Sequence, residues 1–447
     1  MKWLFYSLVF CAPAALAQAP MALTVEEAVR IGKQGNRSLK LTAAKAEADH
    51  AHASEAGAQR YAGLAVYGAY SRLQEGQFRL TAKTFPVPIT AGDVPPDQYT
   101  VRVGIRQPLF TGSRISAGAE AAALQADASD LDRVTTEEDV ALNVTSAYWS
   151  LYQARQVEHF SGEDVQRIES YRRDTERLMK AGAATRNDLL RVDVQLSNAR
   201  INLIEMENEA RIAEMSLNNV LGQPTTTPLE LSSEPDEIAV RPSVEGGTGP
   251  DSVGSLVDAA VGRRADLQAA TTRVRAAEAS VTAAQGGWWP QIEFNANYNY
   301  NNPNARYEPI TPEFLGKWDM GITFSMDLWN WGATGSRVEQ AEAALKQARV
   351  QASQTTENVS FEVQRSVLNL RRSSRKISVA RLAVDQAAEN LRVISEKYRS
   401  GLATSTELLD AEIALLQAQT QLSGARVELA LARSALVRAM GGQAGTQ

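Results

Sequence analysis

The chain has 447 residues and a formal net charge of −6, from 46 basic and 52 acidic residues spread along its length. That dispersal excludes a basic nucleic-acid surface, and a count of 1 cysteine excludes a disulfide framework. The length would fill roughly two or three ordinary domains.

The first residues read as a secretory signal over 1–17: Lys2 supplies charge, Trp3 to Ala12 the apolar stretch, and Ala15-Leu16-Ala17 the small-x-small cleavage signature. Cys11 leaves with it, and Phe10 before it is too bulky for a lipoprotein site, so no lipid anchor is expected. No later run reaches the ~18 apolar residues of a membrane helix. Instead, four stretches alternate with period two, at about 62–71, 99–109, 290–300 and 318–328. Their apolar rows include Leu64, Val66 and Tyr70; Val101, Val103 and Ile105; Ile292, Phe294 and Tyr298; and Trp318, Ile322 and Phe324. Arg102 and Arg106 lie on the opposite face of the second, Glu293 on that of the third and Asp319 on that of the fourth. One apolar and one polar face suits a strand between lipid and water, with these charged residues lining a lumen. An ordinary sandwich with one wet face shares the pattern. The loops that join each pair, about 72–98 and 301–317, are rich in Pro, Gly and Asn. Four strands cannot close a barrel, since small barrels begin at about eight, and lipid forbids open edges. Membrane-spanning strands would therefore require several copies of the chain.

The remainder reads as helix, at about 112–181, 185–221, 333–400 and 404–440. Leu196, Ala199, Leu203, Met206, Ala210, Ala213, Leu217 and Val220 step by three and four, and Leu415 to Ala439 repeat the same seam of alternating large and small residues. Gly182 and Gly401 suit left-handed C-terminal caps. Thr185 with Asp188, and Thr404 with Glu407, have the spacing of capping boxes. Two helical hairpins with very short turns follow. Between them, 223–250 reads as a linker with one short strand near Leu229 to Leu231.

The chain repeats itself. Leu109 aligns with Leu328, Gly182 with Gly401 and Gly222 with Gly441, a constant separation of 219 residues; upstream, Leu64 aligns with Ile292 and Tyr70 with Tyr298, a separation of 228. The two repeats are assigned to 18–222 and 251–442, with a tail at 443–447. Such a unit is too long for a solenoid and implies a pseudo-two-fold protomer. His50 and His52 point to different faces of a helix and His159 stands alone, which reads as solvated histidine rather than a metal site. No phosphate-binding glycine loop and no nucleophile–base–acid constellation is present, so no cofactor, no metal and no catalytic residue are expected.

Signal, paired strands, heptad helices and duplication together resemble the TolC family of outer-membrane efflux proteins. Leu23-Thr24-Val25-Glu26-Glu27-Ala28-Val29 is similar to its opening helix. Gln107-Pro108-Leu109-Phe110 and Met326-Asp327-Leu328-Trp329-Asn330 are similar to its strand-to-helix junctions, and the stretches from Ala181 to Leu190 and from Ser400 to Leu409 to its two periplasmic tips. The resemblance implies a mainly helical fold with a membrane β-barrel part, and a homotrimer with a 12-stranded barrel and a helical tunnel. It implies a passive export channel in the Gram-negative outer membrane, extending into the periplasm and serving a tripartite efflux pump or type I secretion. Its partners would be a periplasmic adaptor, through it an inner-membrane transporter, and outer-membrane lipid. Gate positions carried over are Asp410, Glu407, Tyr398 and Asp188, with Arg191 in the first-repeat slot equivalent to Asp410. Adaptor-contacting positions are Gly182, Ala184, Thr185, Gly401, Ala403 and Thr404. Ala403 stands where some members carry a basic gating residue, and Glu407 serves equally as a capping-box residue. The reading from another class is a secreted, soluble periplasmic coiled-coil protein.

Overall fold

A computed structural model describes residues 21–74, 79–80, 89–90, 95–235, 250–304, 306–307 and 311–442. The segments read as signal and tail lie outside these, as do half of the linker and parts of both strand-joining loops. The chain forms two compact units: Met1–Thr42 with Arg133–Ala265 and Glu357–Gln447, and Ala43–Asp132 with Asp266–Thr356. Each unit draws on both sequence repeats, so the halves of the repeat are not the halves of the fold.

In chain order the elements are β1 (Met21–Leu23), α1 (Val25–Gly35), α2 (Arg37–Ala58), β2 (Gly63–Arg72), β3 (Arg79–Leu80), β4 (Ile89–Thr90), β5 (Asp97–Phe110), α3 (Arg114–Lys180), α4 (Arg186–Leu221), β6 (Leu229–Leu231), α5 (Pro250–Arg263), α6 (Ala265–Gln285), β7 (Gln291–Asn302), β8 (Leu315–Ser325), α7 (Ala333–Arg399) and α8 (Ser405–Ala439). Helices α3 and α7 have 67 residues each. Neither contains a proline, and glycine is confined to Gly118 and Gly162 in the first and Gly335 in the second, so nothing interrupts the backbone hydrogen-bond ladder. Each ends at a left-handed glycine, Gly182 at φ 76° and Gly401 at φ 73°, where a side chain would strain the backbone. The next helix then starts from a threonine cap.

The core of the first-named unit gathers where β1 pairs in parallel with β6. Leu23, Val144, Tyr148, Trp149, Leu217 and Leu221 are fully buried there. The Tyr148 hydroxyl donates to the Leu23 carbonyl at 2.9 Å and accepts from the Ser233 amide at 3.0 Å, so the buried phenol is satisfied at both ends. The strand read near Leu229 thus tethers the linker to the start of the chain. The α4 seam residues named above are buried or half-buried throughout, as are those of α8.

The second-named unit holds an antiparallel sheet of order β2-β5-β7-β8. Its register carries the apolar rows into one continuous face: Val66 lies opposite Val103, Val103 opposite Tyr298, and Tyr298 opposite Trp318. Two differences from the sequence reading occur at the strand ends. β5 spans Asp97–Phe110, two residues earlier and one residue later than the expected 99–109, because Asp97 pairs with Arg72 and Phe110 with Ile292. β8 stops at Ser325 instead of 328, because it is an edge strand with β7 on one side only, and β7 begins at Gln291, opposite Ser325.

Candidate functional site

Leu64, Val66, Trp318, Met320, Ile322 and Phe324 are all exposed, although they form the apolar face of a regular sheet. A patch of that extent on a soluble monomer is anomalous and is what a lipid-facing surface requires. The opposite face is a polar ladder. Arg106 Nε lies 3.0 Å from Glu293 Oε1, and Arg102 Nε donates to Asn299 Oδ1 at 2.9 Å. Asp319 accepts from Asn297 at 3.0 Å, from Asn299 at 2.8 Å and from Arg306 at 2.8 Å. Arg102, Arg106, Glu293 and Asp319 therefore share one face, as the alternation predicts. Asn299 and Arg306, which knit them together, carried no signal beyond their parity or their place in a loop.

The tips belong to the other unit. In the first, the Thr185 hydroxyl accepts from the Asp188 amide, while Asp188 Oδ2 accepts from the Thr185 amide at 2.9 Å. In the second, Thr404 and Glu407 repeat this arrangement, with the Thr404 amide donating to Glu407 Oε2 at 2.7 Å. The Thr185 hydroxyl, which donates to Asp188 Oδ2 at 2.6 Å, and then the Thr185 amide hold the Asp188 carboxyl below its usual range, and the Thr404 amide and then its hydroxyl do the same for Glu407. Glu407 is thus engaged as a cap.

At the tips, four contacts among the described residues join the hairpins directly. Ser405 Oγ donates to Asp188 Oδ1 at 3.0 Å, and Arg191 Nη1 donates to Thr406 Oγ1 at 2.9 Å. The Thr175 and Tyr398 hydroxyls meet at 2.5 Å, and Arg399 Nε lies 3.6 Å from Asp174. Tyr398 is buried in a cluster with Tyr171, Leu408 and Leu415, and half-buried Ala403 packs against it. Of the gate positions read from sequence, the structure brings Asp188, Arg191 and Tyr398 into these contacts, each with a different partner. Asp410 is exposed and has no ion-pair partner among the described residues. Gly182, Thr185, Gly401 and Thr404 are exposed at the turns and Ala184 is half-buried.

Sequence reasoning missed a buried charge cluster behind the tips. Glu412 on α8 is 1% exposed. Arg167 Nε on α3 donates to its Oε2 at 2.9 Å, and Arg167 Nη2 lies 3.7 Å from the buried Asp164. One guanidinium serves two buried carboxylates. Burial first, then the Glu412 charge, pushes the Asp164 carboxyl up to about 6. Burial and Glu412 likewise push the Tyr171 phenol up. His50 pairs with Asp130 and His159 with Glu163, each at the surface, and the described residues contain no cluster suited to a metal.

A sheet built for lipid on one face and water on the other, in a chain of long capped helical hairpins, defines a channel-forming membrane protein. The chain belongs to the outer membrane efflux protein family, whose sequence pattern matches residues 33–223 and 256–442, one match in each repeat. It is 22% identical over 360 residues to the outer membrane efflux protein BepC of Brucella suis, covering 79% of this chain and 75% of that one. It is 23% identical over 324 residues to the outer membrane protein TolC of Vibrio cholerae, covering 72% of each. Its fold matches the solved outer membrane protein VceC of Vibrio cholerae with a TM-score of 0.77, at 20% identity, over 94% of this chain and 96% of that one. The protein is an outer-membrane channel subunit of the tripartite efflux type, reaching into the periplasm.

Proposed function

We propose that the chain forms a homotrimeric, passive export duct that performs no covalent chemistry. Its periplasmic tips receive an adaptor and, through it, an inner-membrane transporter. The observation that carries this reading is the open four-stranded sheet with its exposed apolar face. In lipid both unpaired edges must be satisfied, and three copies supply twelve strands, enough to close a barrel. A second feature agrees. Exposed apolar rows run along α4 (Val194, Ile201, Ile204) and α7 (Phe361, Leu368, Leu382). Neighbouring copies would cover them, head to tail, in a closed ring.

In this reading the contacts between the hairpins hold the duct shut. Asp188, Arg191 and Tyr398 act as latches, Glu407 shapes the second tip as its cap, and Asp410 faces the mouth in a threefold ring. The turns at Gly182, Ala184 and Thr185 and at Gly401, Ala403 and Thr404 offer the adaptor exposed, short-side-chain backbone. The deciding experiment measures the mass of detergent-extracted protein from outer membranes and its conductance in a planar bilayer. A trimer that forms pores is expected. A soluble, monomeric periplasmic product would end the channel reading and leave a coiled-coil scaffold.

A further inference from the structure

The polar face of the sheet treats its two signs of charge unequally. Both of its carboxylates are neutralised: Glu293 pairs with Arg106, and Asp319 accepts from Asn297, Asn299 and Arg306. Two of its cations are not. Arg102 donates through Nε to the Asn299 amide oxygen. Lys317 Nζ donates to the Arg306 carbonyl and lies 3.9 Å from the centroid of the Tyr307 ring. All of these partners are neutral, and neither cation has an ion-pair partner among the described residues. With Arg306 reaching in from the β7–β8 loop, the face sets Arg102, Arg106, Arg306 and Lys317 against Glu293 and Asp319, a surplus of two positive charges per copy.

The two unneutralised cations share one row of the sheet. Tyr67 lies opposite Arg102, Arg102 opposite Asn299 and Asn299 opposite Lys317. Neighbouring strands are about 4.8 Å apart, which puts the two charged residues roughly 10 Å from each other. The Asn299 amide stands between them, and the exposed phenol of Tyr67 stands beside Arg102. The row is nearer the loop ends of β5 and β8 than the ends that lead into helices. The loop itself steadies it. Asn304 is buried and donates to the Leu315 carbonyl, and the Tyr307 hydroxyl donates to the Gly316 carbonyl at 3.0 Å. Tyr307 is thereby fixed against Lys317.

We infer that this row is an anion-binding site on the wall of the outer half of the duct, taking solutes that carry carboxylate, phosphate or sulfate groups. It rests on the trimeric duct proposed above, which turns the polar face to the lumen. Arg102 spends only Nε on Asn299, so its Nη groups present a planar fork to an oxyanion. Lys317 adds a point charge, and Tyr67 adds an aromatic face with a polar tip. Three copies repeat the row around one water-filled lumen, where their fields add. Screening shortens the reach of those fields from about 8 Å at physiological ionic strength to about 3 Å at 1 M salt. The site therefore acts at low salt and fades at high salt.

Inositol hexakisphosphate added to the loop side of full-length channels in a planar bilayer tests the site at low salt. Half-block should require at least about tenfold more of it when Arg102→Gln is combined with Lys317→Gln than in the unaltered protein. Lys317→Arg keeps the charge and should keep the block, and Asp410→Asn, in the other unit, should leave the block unchanged. Asp319→Asn adds one positive charge to the surplus and should lower the half-blocking concentration. Block that survives the double substitution overturns the site, as does block that Lys317→Arg abolishes or that Asp319→Asn fails to strengthen. An unaltered channel that conducts and is not blocked overturns it too. A protein that forms no pore overturns instead the duct on which the site rests.

Discussion

The two hairpins share one template, yet their tips and the seams behind them are wired differently. Asp188 and Glu407 occupy the same place in the repeat, and each closes a capping box. Asp188 uses Oδ2 for the box and turns Oδ1 to Ser405 of the other hairpin. Glu407 uses Oε2 for both of its capping contacts, with the Thr404 amide and hydroxyl. The same contrast holds one turn deeper. Glu412 is buried and paired with Arg167 of the other hairpin, whereas its counterpart Asp193 pairs at 2.6 Å with half-exposed Arg172 of its own hairpin. Duplication fixed the local geometry, and side-chain divergence decided which copy reaches across.

The largest effect should come from the deeper pair. Arg167→Ala leaves Glu412 buried without its cation, which costs about 3–5 kcal/mol. Arg172→Ala removes an exposed pair and should cost no more than ~1 kcal/mol. Denaturant unfolding of the detergent-solubilised protein measures both, and equal losses would erase the distinction between the seams.

Next comes the pH dependence of that cluster. Asp164 has a folded-state pKa raised from 3.8 to about 6. The folded state then binds the proton more tightly than the unfolded state. Stability is greatest below about pH 4 and falls as pH rises through 6. The fall should be on the order of 2 kcal/mol, and Asp164→Asn should flatten it. An unaltered slope in the variant would place the titration elsewhere.

Smaller again is the latch. Asp188→Ala removes a cap and a cross-hairpin acceptor, whereas Glu407→Ala removes a cap only, worth about 1 kcal/mol. Asp188→Ala should therefore raise the open fraction in single-channel records, and Ser405→Ala should reproduce most of that rise without touching the cap. If Glu407→Ala opens the channel as much as Asp188→Ala, capping rather than latching holds the tip.

What could be read from sequence follows the range of the interaction. Strands, helices, glycine ends and capping boxes are set within a few residues, and period-two and heptad patterns expose them. The two-faced sheet was legible because burial by lipid leaves the same alternation as burial by protein. The partners across the tips were not: the resemblance pointed to Asp188, Arg191 and Tyr398, but nothing pointed to Ser405, Thr406 or Thr175. Ser405 and Asp188 are 217 residues apart and Thr175 and Tyr398 are 223 apart, so no local pattern links them. Asp164 and Glu412 stand on helices rich in both signs, where no local pattern marks them, and their burial follows from the packing of α3 against α8.

Asp410 should have the smallest effect on stability and still a distinct effect on function. It is exposed, caps nothing and lies at the repeat position where Arg191 reaches Thr406. Asp410→Lys should change stability by no more than about 0.5 kcal/mol, as surface substitutions do. A threefold ring of carboxylates at a narrow mouth favours cations, so the same substitution should shift the reversal potential under a salt gradient toward anions. Arg191→Ala serves as the comparison, since it removes the charge in the matching slot of the first tip together with a latch. If Arg191→Ala shifts ion preference and Asp410→Lys does not, the charge that the ion meets belongs to the first hairpin, and the acidic ring is not the selective element.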